Sequence, residues 1–255
     1  MNMTANGRVA LVTGGARGIG AAIARALAED GLAIVVADLR LEEAQATASA
    51  ITEAGGKALA IDVDITSSDS VAAGLAAAQD GLGPIDVLVN NAGWDDLKPF
   101  LQTDEEFWDR VLEVNFKGAL RLTHGVLPGM VERGWGRIIN IGSDAGRVGS
   151  SLESVYSGAK GGIIAFTKTV AREVARKGVT ANVVCPGPTD TPFLQEIVAR
   201  QGDADKVIGA MVSGVPMKRL AKPDEIASAV RFFARDDAGY VTGQTLSVSG
   251  GLTMA

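Results

Sequence analysis

Short runs of β-branched and other apolar residues alternate with longer helical stretches along this whole chain, and that rhythm constrains the fold more than any other feature. Segments 8–14 (RVALVTG), 33–39 (AIVVADL), 57–65 (KALAIDVDI), 86–93 (DVLVNNAG), 136–143 (GRIINIGS), 179–187 (VTANVVCPG) and 244–251 (QTLSVSGG) read as strands. Their nearly unbroken apolar character fits strands covered on both faces. Between them, GIGAAIARALAEDG, LEEAQATASAITEAGG and SSDSVAAGLAAAQDGLG are helical patterns stopped by glycine. TDEEFWDRVLEVN opens with Thr103 and has Glu106 three residues later, a capping-box pattern. The alternation predicts an α/β fold, a doubly wound and mostly parallel sheet with helices on both faces. Segment 189–222 is richer in charge and lacks a strand, so it is expected to form a small helical lid over the carboxyl edge of the sheet. No Pro/Gly/Ser linker divides residues 1–255, and one domain is expected.

Composition removes several function classes. The chain has 255 residues with 47% hydrophobic content, enough for one large core. No apolar run is long enough for a spanning helix, and the start lacks a basic segment followed by an apolar stretch and a cleavage site. One cysteine, Cys185, permits no internal disulfide, which suits a cytoplasmic location. One histidine, His124, leaves no zinc cluster and makes a serine–histidine–aspartate hydrolase a poor fit. Net charge is −6 without a basic run, so neither nucleic acid nor membrane is an expected partner.

VTGGARGIG follows the first strand and opens the first helix. Gly14, Gly18 and Gly20 have the spacing G-x-x-x-G-x-G rather than G-x-G-x-x-G, but the physical logic is shared. Glycines let the backbone approach a pyrophosphate and leave helix N–H groups aimed at it. No Lys-Ser or Lys-Thr follows, which excludes a Walker A loop. A tight turn that binds nothing is the plainer alternative. Asp38 ends the second strand, 18 residues past Gly20, where a carboxylate accepts hydrogen bonds from a ribose and repels a 2′-phosphate. Arg17 and Arg40 pull the other way. The balance favours NAD over NADP, and a simple strand-end cap is the structural alternative for Asp38.

SVYSGAKGG, residues 154–162, sets Tyr156 and Lys160 one helical turn apart among small residues. A nearby ammonium favours the phenolate and is expected to lower the tyrosine pKa. A phenol so tuned can take a proton from an alcohol or return one to a carbonyl. The intervening SGA is expected to leave room for a flat ring. Ser143 ends the fifth strand and shares the same rim, so its hydroxyl can meet the phenol. Asn115, late in the preceding helix, is a buried amide that needs partners.

Taken together, TGGARGIG, NNAG, Asn115, Ser143, YSGAK and PGPTDT resemble the short-chain dehydrogenase/reductase family in order and spacing, from about residue 8 to 251. The resemblance implies a Rossmann-type fold, NAD(P) as cofactor and catalysis by Asn115, Ser143, Tyr156 and Lys160. In that scheme Tyr156 is the acid/base and Lys160 holds the nicotinamide ribose. Ser143 bonds the reacting oxygen, and Asn115 supports a water linking Lys160 to solvent. The cofactor would touch Gly14, Arg17, Gly18, Ile19 and Gly20, then Asp38 and Leu39, then Asp64 and Ile65. It would continue past Asn91, Ala92 and Gly93, with Asn90 beside them, to Pro186, Gly187, Thr189 and Thr191. The family commonly forms tetramers, so a homotetramer using the 157–175 helix and the GGLTMA tail is expected.

The pocket-shaping segments are GWDDLKPF, SDAGRVGSSLESVY and 188–216. Trp94, Leu152 and Phe193 are candidate apolar walls, and Arg147, Lys98 and Arg200 candidate cations for an anionic tail. These loops resemble those of 2-hydroxycyclohexanecarboxyl-CoA dehydrogenases, which oxidise a ring 2-hydroxyl β to a thioester with NAD. A CoA thioester is therefore an expected substrate. The alternatives are an NADPH-linked 3-oxoacyl-ACP reductase, another secondary alcohol, and a non-catalytic nucleotide sensor on the same fold.

Overall fold

The computed structural model describes residues 7–254. Residues 1–6, at the start of the segment read above as lacking a secretory leader, and Ala255, the last residue of the GGLTMA tail, lie outside that range. Seven strands, β1 (Val9–Thr13), β2 (Ala33–Asp38), β3 (Lys57–Asp62), β4 (Ile85–Asn90), β5 (Gly136–Ile141), β6 (Val179–Pro186) and β7 (Thr245–Val248), form one sheet in the order β3-β2-β1-β4-β5-β6-β7. Every pairing is parallel. The helices are α1 (Gly18–Glu29), α2 (Leu41–Glu53), α3 (Ser68–Leu82), α4 (Glu105–Leu112), α5 (Gly118–Arg133), α6 (Ala145–Val148), α7 (Ser154–Val174), α8 (Pro192–Ala199), α9 (Ala204–Gly214) and α10 (Pro223–Ala234).

Side-chain alternation explains why the strands read as continuous apolar runs. Ala10, Val12, Ile34 and Val36 point to one face, where they meet Ile23 and Leu27 of α1 and Ile226 and Phe233 of α10. Leu11 and Val35, one residue out of phase, point to the other, against Leu122 and Met130 of α5 and Val170 of α7. Both faces of the central strands are covered, and the polar residues within them, such as Arg137 of β5 and Thr180 and Asn182 of β6, are themselves buried.

The carboxyl ends of the strands are where the sequence reading overran. All seven runs lose their last one to three residues to loops, and those after β3, β4 and β6 (63–65, 91–93 and 187) help form the rim of the sheet. The chain reverses direction across the sheet at β1, which has β2 on one side and β4 on the other. A crevice opens at such a switch point. The expected lid is present as α8 and α9, tied back by Ala221 N–H to Pro188 O at 2.9 Å.

The start of α4 differs from the expected capping box. Asp104, not Thr103, is the cap, accepting Phe107 N–H at 2.9 Å. The Thr103 hydroxyl instead bonds Phe100 O and the Trp108 indole, each at 2.7 Å. α4 runs into α5 through a π-helical turn, Glu113–Lys117, which carries Asn115. Such wide turns cluster at functional positions.

Candidate active site

The glycine turn is held open by backbone conformation and clamped by side chains. Gly14 and Gly18 take φ of 61° and 55°, left-handed values that glycine adopts freely. The Thr13 hydroxyl accepts Asn91 N–H at 3.0 Å and Ala92 N–H at 3.1 Å. The Asn91 amide donates to Thr13 O at 2.9 Å and Gly14 O at 3.1 Å, so the first and fourth strands are tied at the crevice. A Cβ on Gly20 would stand 2.0 Å from Gly14 O and 2.6 Å from Asn91 Nδ2. Only glycine lets α1 pack this closely on the turn, and its first turn, Gly18 to Gly20, then borders the cavity where a dinucleotide pyrophosphate would fit. Gly20→Ala is expected to weaken NAD binding at least about tenfold, read by titration, and to lower Tm. Gly209→Ala, in an open position on α9, is the control and is expected to leave both unchanged or raise Tm slightly.

At the far end Asp38 is half-buried. Its carboxylate accepts Ala16 N–H at 3.1 Å and Arg40 N–H at 3.0 Å. The strand-end cap is therefore real, and it fixes the turn that faces the cavity. Leu39 lies exposed beside it. Arg17 is engaged by Glu196 of α8, with Nη2 to Oε2 at 2.8 Å, and that contact holds the guanidinium above and the carboxyl below their ordinary pKa ranges. Arg40 pairs with Glu43 at 3.1 Å. Asp64 lines the cavity, but its Oδ1 accepts Thr66 N–H and the Thr66 hydroxyl at 2.8 and 2.7 Å.

Ser143, Tyr156 and Lys160 all line one side of the same cavity. Ser143 leaves the end of β5, and its Oγ accepts Ala145 N–H at 3.1 Å. Lys160 is 4% exposed and donates to Ile141 O at 2.9 Å. Burial takes its ammonium down to about 8. The Lys160 Nζ stands 5.5 Å from the centre of the Tyr156 ring. The expected lowering of the phenol pKa is not what this environment produces. Burial raises it, and the Glu153 and Asp95 carboxylates raise it further; the Ser143 hydroxyl is the group that opposes them.

Two further expectations change here. Ser157, Gly158 and Ala159 are absent from the cavity wall, because residues between two that share a helical face must point elsewhere. Asn115 is buried behind the wall rather than on it. Its amide donates to Trp94 O at 2.5 Å and Val111 O at 3.0 Å, and its Oδ1 accepts Trp94 N–H at 3.2 Å. Its side chain thus ties the NAG-Trp loop beside Lys160 to the helix that carries Asn115. Asn90 is also outside the cavity, donating to Asn140 Oδ1 at 2.8 Å.

The cavity has a volume of about 900 Å³ and reaches from the glycine turn and Asp38 to the lid. Gly18, Ile19, Ile65, Ala92, Gly93, Pro186, Gly187, Thr189 and Thr191 all border it. Thr191 also caps α8 by accepting Leu194 N–H at 3.1 Å. Of the expected substrate contacts, Trp94 and Phe193 line it, as does Arg200. Leu152 and Arg147 do not. Leu152 sits in a left-handed turn on the surface, φ 70°, and Arg147 is drawn to the Ser247 hydroxyl at 2.6 Å. Lys98 faces Asp96 at 3.4 Å. Sequence reasoning passed over Thr13, Arg110, Asp95 and Glu153. All four sat inside quoted segments, but nothing local told a site residue from a packed or solvated one.

A parallel switch-point sheet with a glycine cradle and a serine–tyrosine–lysine cleft defines a nucleotide-binding oxidoreductase. The chain belongs to the short-chain dehydrogenase family, whose model matches residues 8–202, and its members act on hydroxyl and keto groups. It is 42% identical over 252 residues to the 3-oxoacyl-(acyl-carrier-protein) reductase FabG of Vibrio cholerae, covering 99% of this chain and 100% of that one. It is 41% identical over 247 residues to a cis-4-hydroxycyclohexanecarboxylate dehydrogenase of Sinomonas cyclohexanicum, covering 96% of each. Among solved structures, a crystal structure of a single-substitution variant of actinorhodin polyketide ketoreductase with NADPH superposes with a TM-score of 0.92 at 37% identity, over 99% of this chain and 98% of that one.

Proposed function

We propose that this protein oxidises a secondary alcohol to a ketone with NAD, and that the alcohol is a ring carbinol β to a thioester carbonyl, as in a 2-hydroxycyclohexanecarboxyl-CoA. The observation that carries the reaction type is the cavity itself, which has the glycine turn and Asp38 at one end and Ser143, Tyr156 and Lys160 at the other. A bound oxidised nicotinamide supplies the hydride acceptor and a positive charge close to the phenol. Tyr156 takes the hydroxyl proton, and Ser143 holds the reacting oxygen by hydrogen bond. Lys160, kept charged near neutral pH, steadies the phenolate and the ribose. Asn115 is a positioning residue, acting through Trp94 and the loop it anchors.

Asp38 supports NAD, because a 2′-phosphate beside a half-buried carboxylate meets repulsion in a medium that screens poorly. The thioester reading rests on the loop resemblance and on the relative that acts on a hydroxycyclohexane acid. Two cations at the cavity wall suit the phosphates of such a substrate: Arg110, stacked 3.9 Å over Trp94, and Arg200. The second reading is an NADPH-linked reductase of 3-oxoacyl thioesters, favoured by Arg17 and Arg40 near Asp38 and by the FabG relative.

The test is a set of steady-state rates with NAD and NADP against cyclic and linear 3-hydroxyacyl-CoAs and free alcohols. The proposal expects the highest kcat/KM for a cyclic thioester with NAD. Equal or better rates on an uncharged alcohol end the thioester assignment. A best rate with NADPH on linear 3-oxoacyl thioesters selects the second reading.

A further inference from the structure

Beside Tyr156 the cavity wall carries two carboxyl groups that the reaction above does not use. Glu153 is the residue just before α7, three positions ahead of Tyr156, and both line the cavity. Asp95 comes from the loop after β4, is 3% exposed, and lines the same cavity. The two side chains meet, and Asp95 Oδ2 finds no hydrogen-bond donor among the described residues.

Among the described residues no cation forms a salt bridge with either carboxyl group. Lys98 and Arg200 are both directed to Asp96, at 3.4 and 3.8 Å, and Arg110 lies on the Trp94 ring. Lys160, whose ammonium is favoured by the Asp95 charge, donates to Ile141 O; Cys185 is buried, and Asp96 and Tyr156 are the other titratable neighbours. Two buried carboxyl groups in contact cannot both ionise cheaply, and one proton held between them satisfies the orphaned oxygen. Burial pushes both groups above the usual carboxylate range, the Glu153 charge raising Asp95 further, while the contact with Asp95 and the Ser150 hydroxyl partly offset the rise at Glu153.

We propose that Asp95 and Glu153 form a proton-sharing acid pair that faces the substrate group next to the reacting carbinol and selects a neutral carbonyl there over a carboxylate. The pair has one O–H to give to a carbonyl oxygen and one negative charge with which to repel an anion. This rests on the reading that the Tyr156 end of the cavity holds the substrate. It deepens that reading by making the thioester, rather than the free acid, the form that fits.

The sign of the pH effect follows from the raised groups. As pH rises the shared proton is lost, the pair passes from one negative charge to two, and an anionic substrate is repelled more strongly. The experiment compares ethyl 2-hydroxycyclohexanecarboxylate with 2-hydroxycyclohexanecarboxylate, using NAD, from about pH 6 to about pH 9. For the wild type, kcat/KM is expected to favour the ester at least about tenfold, with KM for the acid rising with pH. Asp95→Asn and Glu153→Gln are each expected to cut that preference about fivefold or more and to flatten the rise, with NAD affinity within about twofold as the check on folding. A wild type that shows no ester preference, or variants that both leave it within about twofold, overturns the proposal. If neither ring compound turns over but 3-hydroxybutyrate or its ethyl ester does, only the ring assignment falls, and the acid pair is judged on that ester-to-acid ratio. Turnover of none of these compounds overturns both.

Discussion

Replacing Tyr156 with phenylalanine is expected to lower kcat about a thousandfold or more while NAD binding stays within about threefold. The substitution removes one oxygen and keeps the ring that packs beside Lys160. The glycine turn and Asp38 lie at the other end of the cavity and are untouched. Only the proton path is lost. Single-turnover rates and NAD titration separate the two quantities. Burial, Glu153 and Asp95 all oppose ionisation of the phenol, so the proton transfer depends closely on its surroundings. A Phe variant with a tenth of the wild-type kcat would show that the proton leaves by another route.

Asp38→Ser is expected to raise the NADP-to-NAD ratio of kcat/KM by about tenfold to a hundredfold, a change of about 1.4 to 2.8 kcal/mol. The gain comes from removing a half-buried charge from the place where a 2′-phosphate would sit. NAD itself is expected to bind less well, because the carboxylate also holds Ala16 N–H at 3.1 Å and Arg40 N–H at 3.0 Å. Steady-state kinetics with both cofactors give the ratio, and a thermal melt reports the cost to the turn. An unchanged ratio moves the determinant to Arg17, whose pairing with Glu196 would then be the next to substitute.

Much of this arrangement was legible beforehand because it depends on local pattern. Strand runs of four to eight residues, glycine-stopped helices and the Gly14–Gly18–Gly20 spacing each reflect constraints that act within one element or one turn. The helical period alone put Tyr156 and Lys160 on one face. The order of elements predicted a parallel sheet, since each strand returns through a helix, and a carboxyl-edge cleft follows from that topology.

What was missed depends on groups distant in the chain. Asn115 is 21 residues from Trp94, yet the hydrogen bonds between them decide what its amide does. Arg147 was a candidate for an anionic tail until Ser247, 100 residues away, drew it off the cleft. The phenol's pKa goes up rather than down because burial and two carboxylates from other segments act on it and outweigh the Ser143 hydroxyl.

By itself the sequence determined the sheet, its rim and the identity of the groups gathered there, because periodicity and turn chemistry act over a few residues. Tertiary structure alone decided which of those groups face the cavity, and what charge each can hold. Those properties are sums over neighbours from separate elements, and a meeting such as that of Asp95 with Glu153 has no local signature.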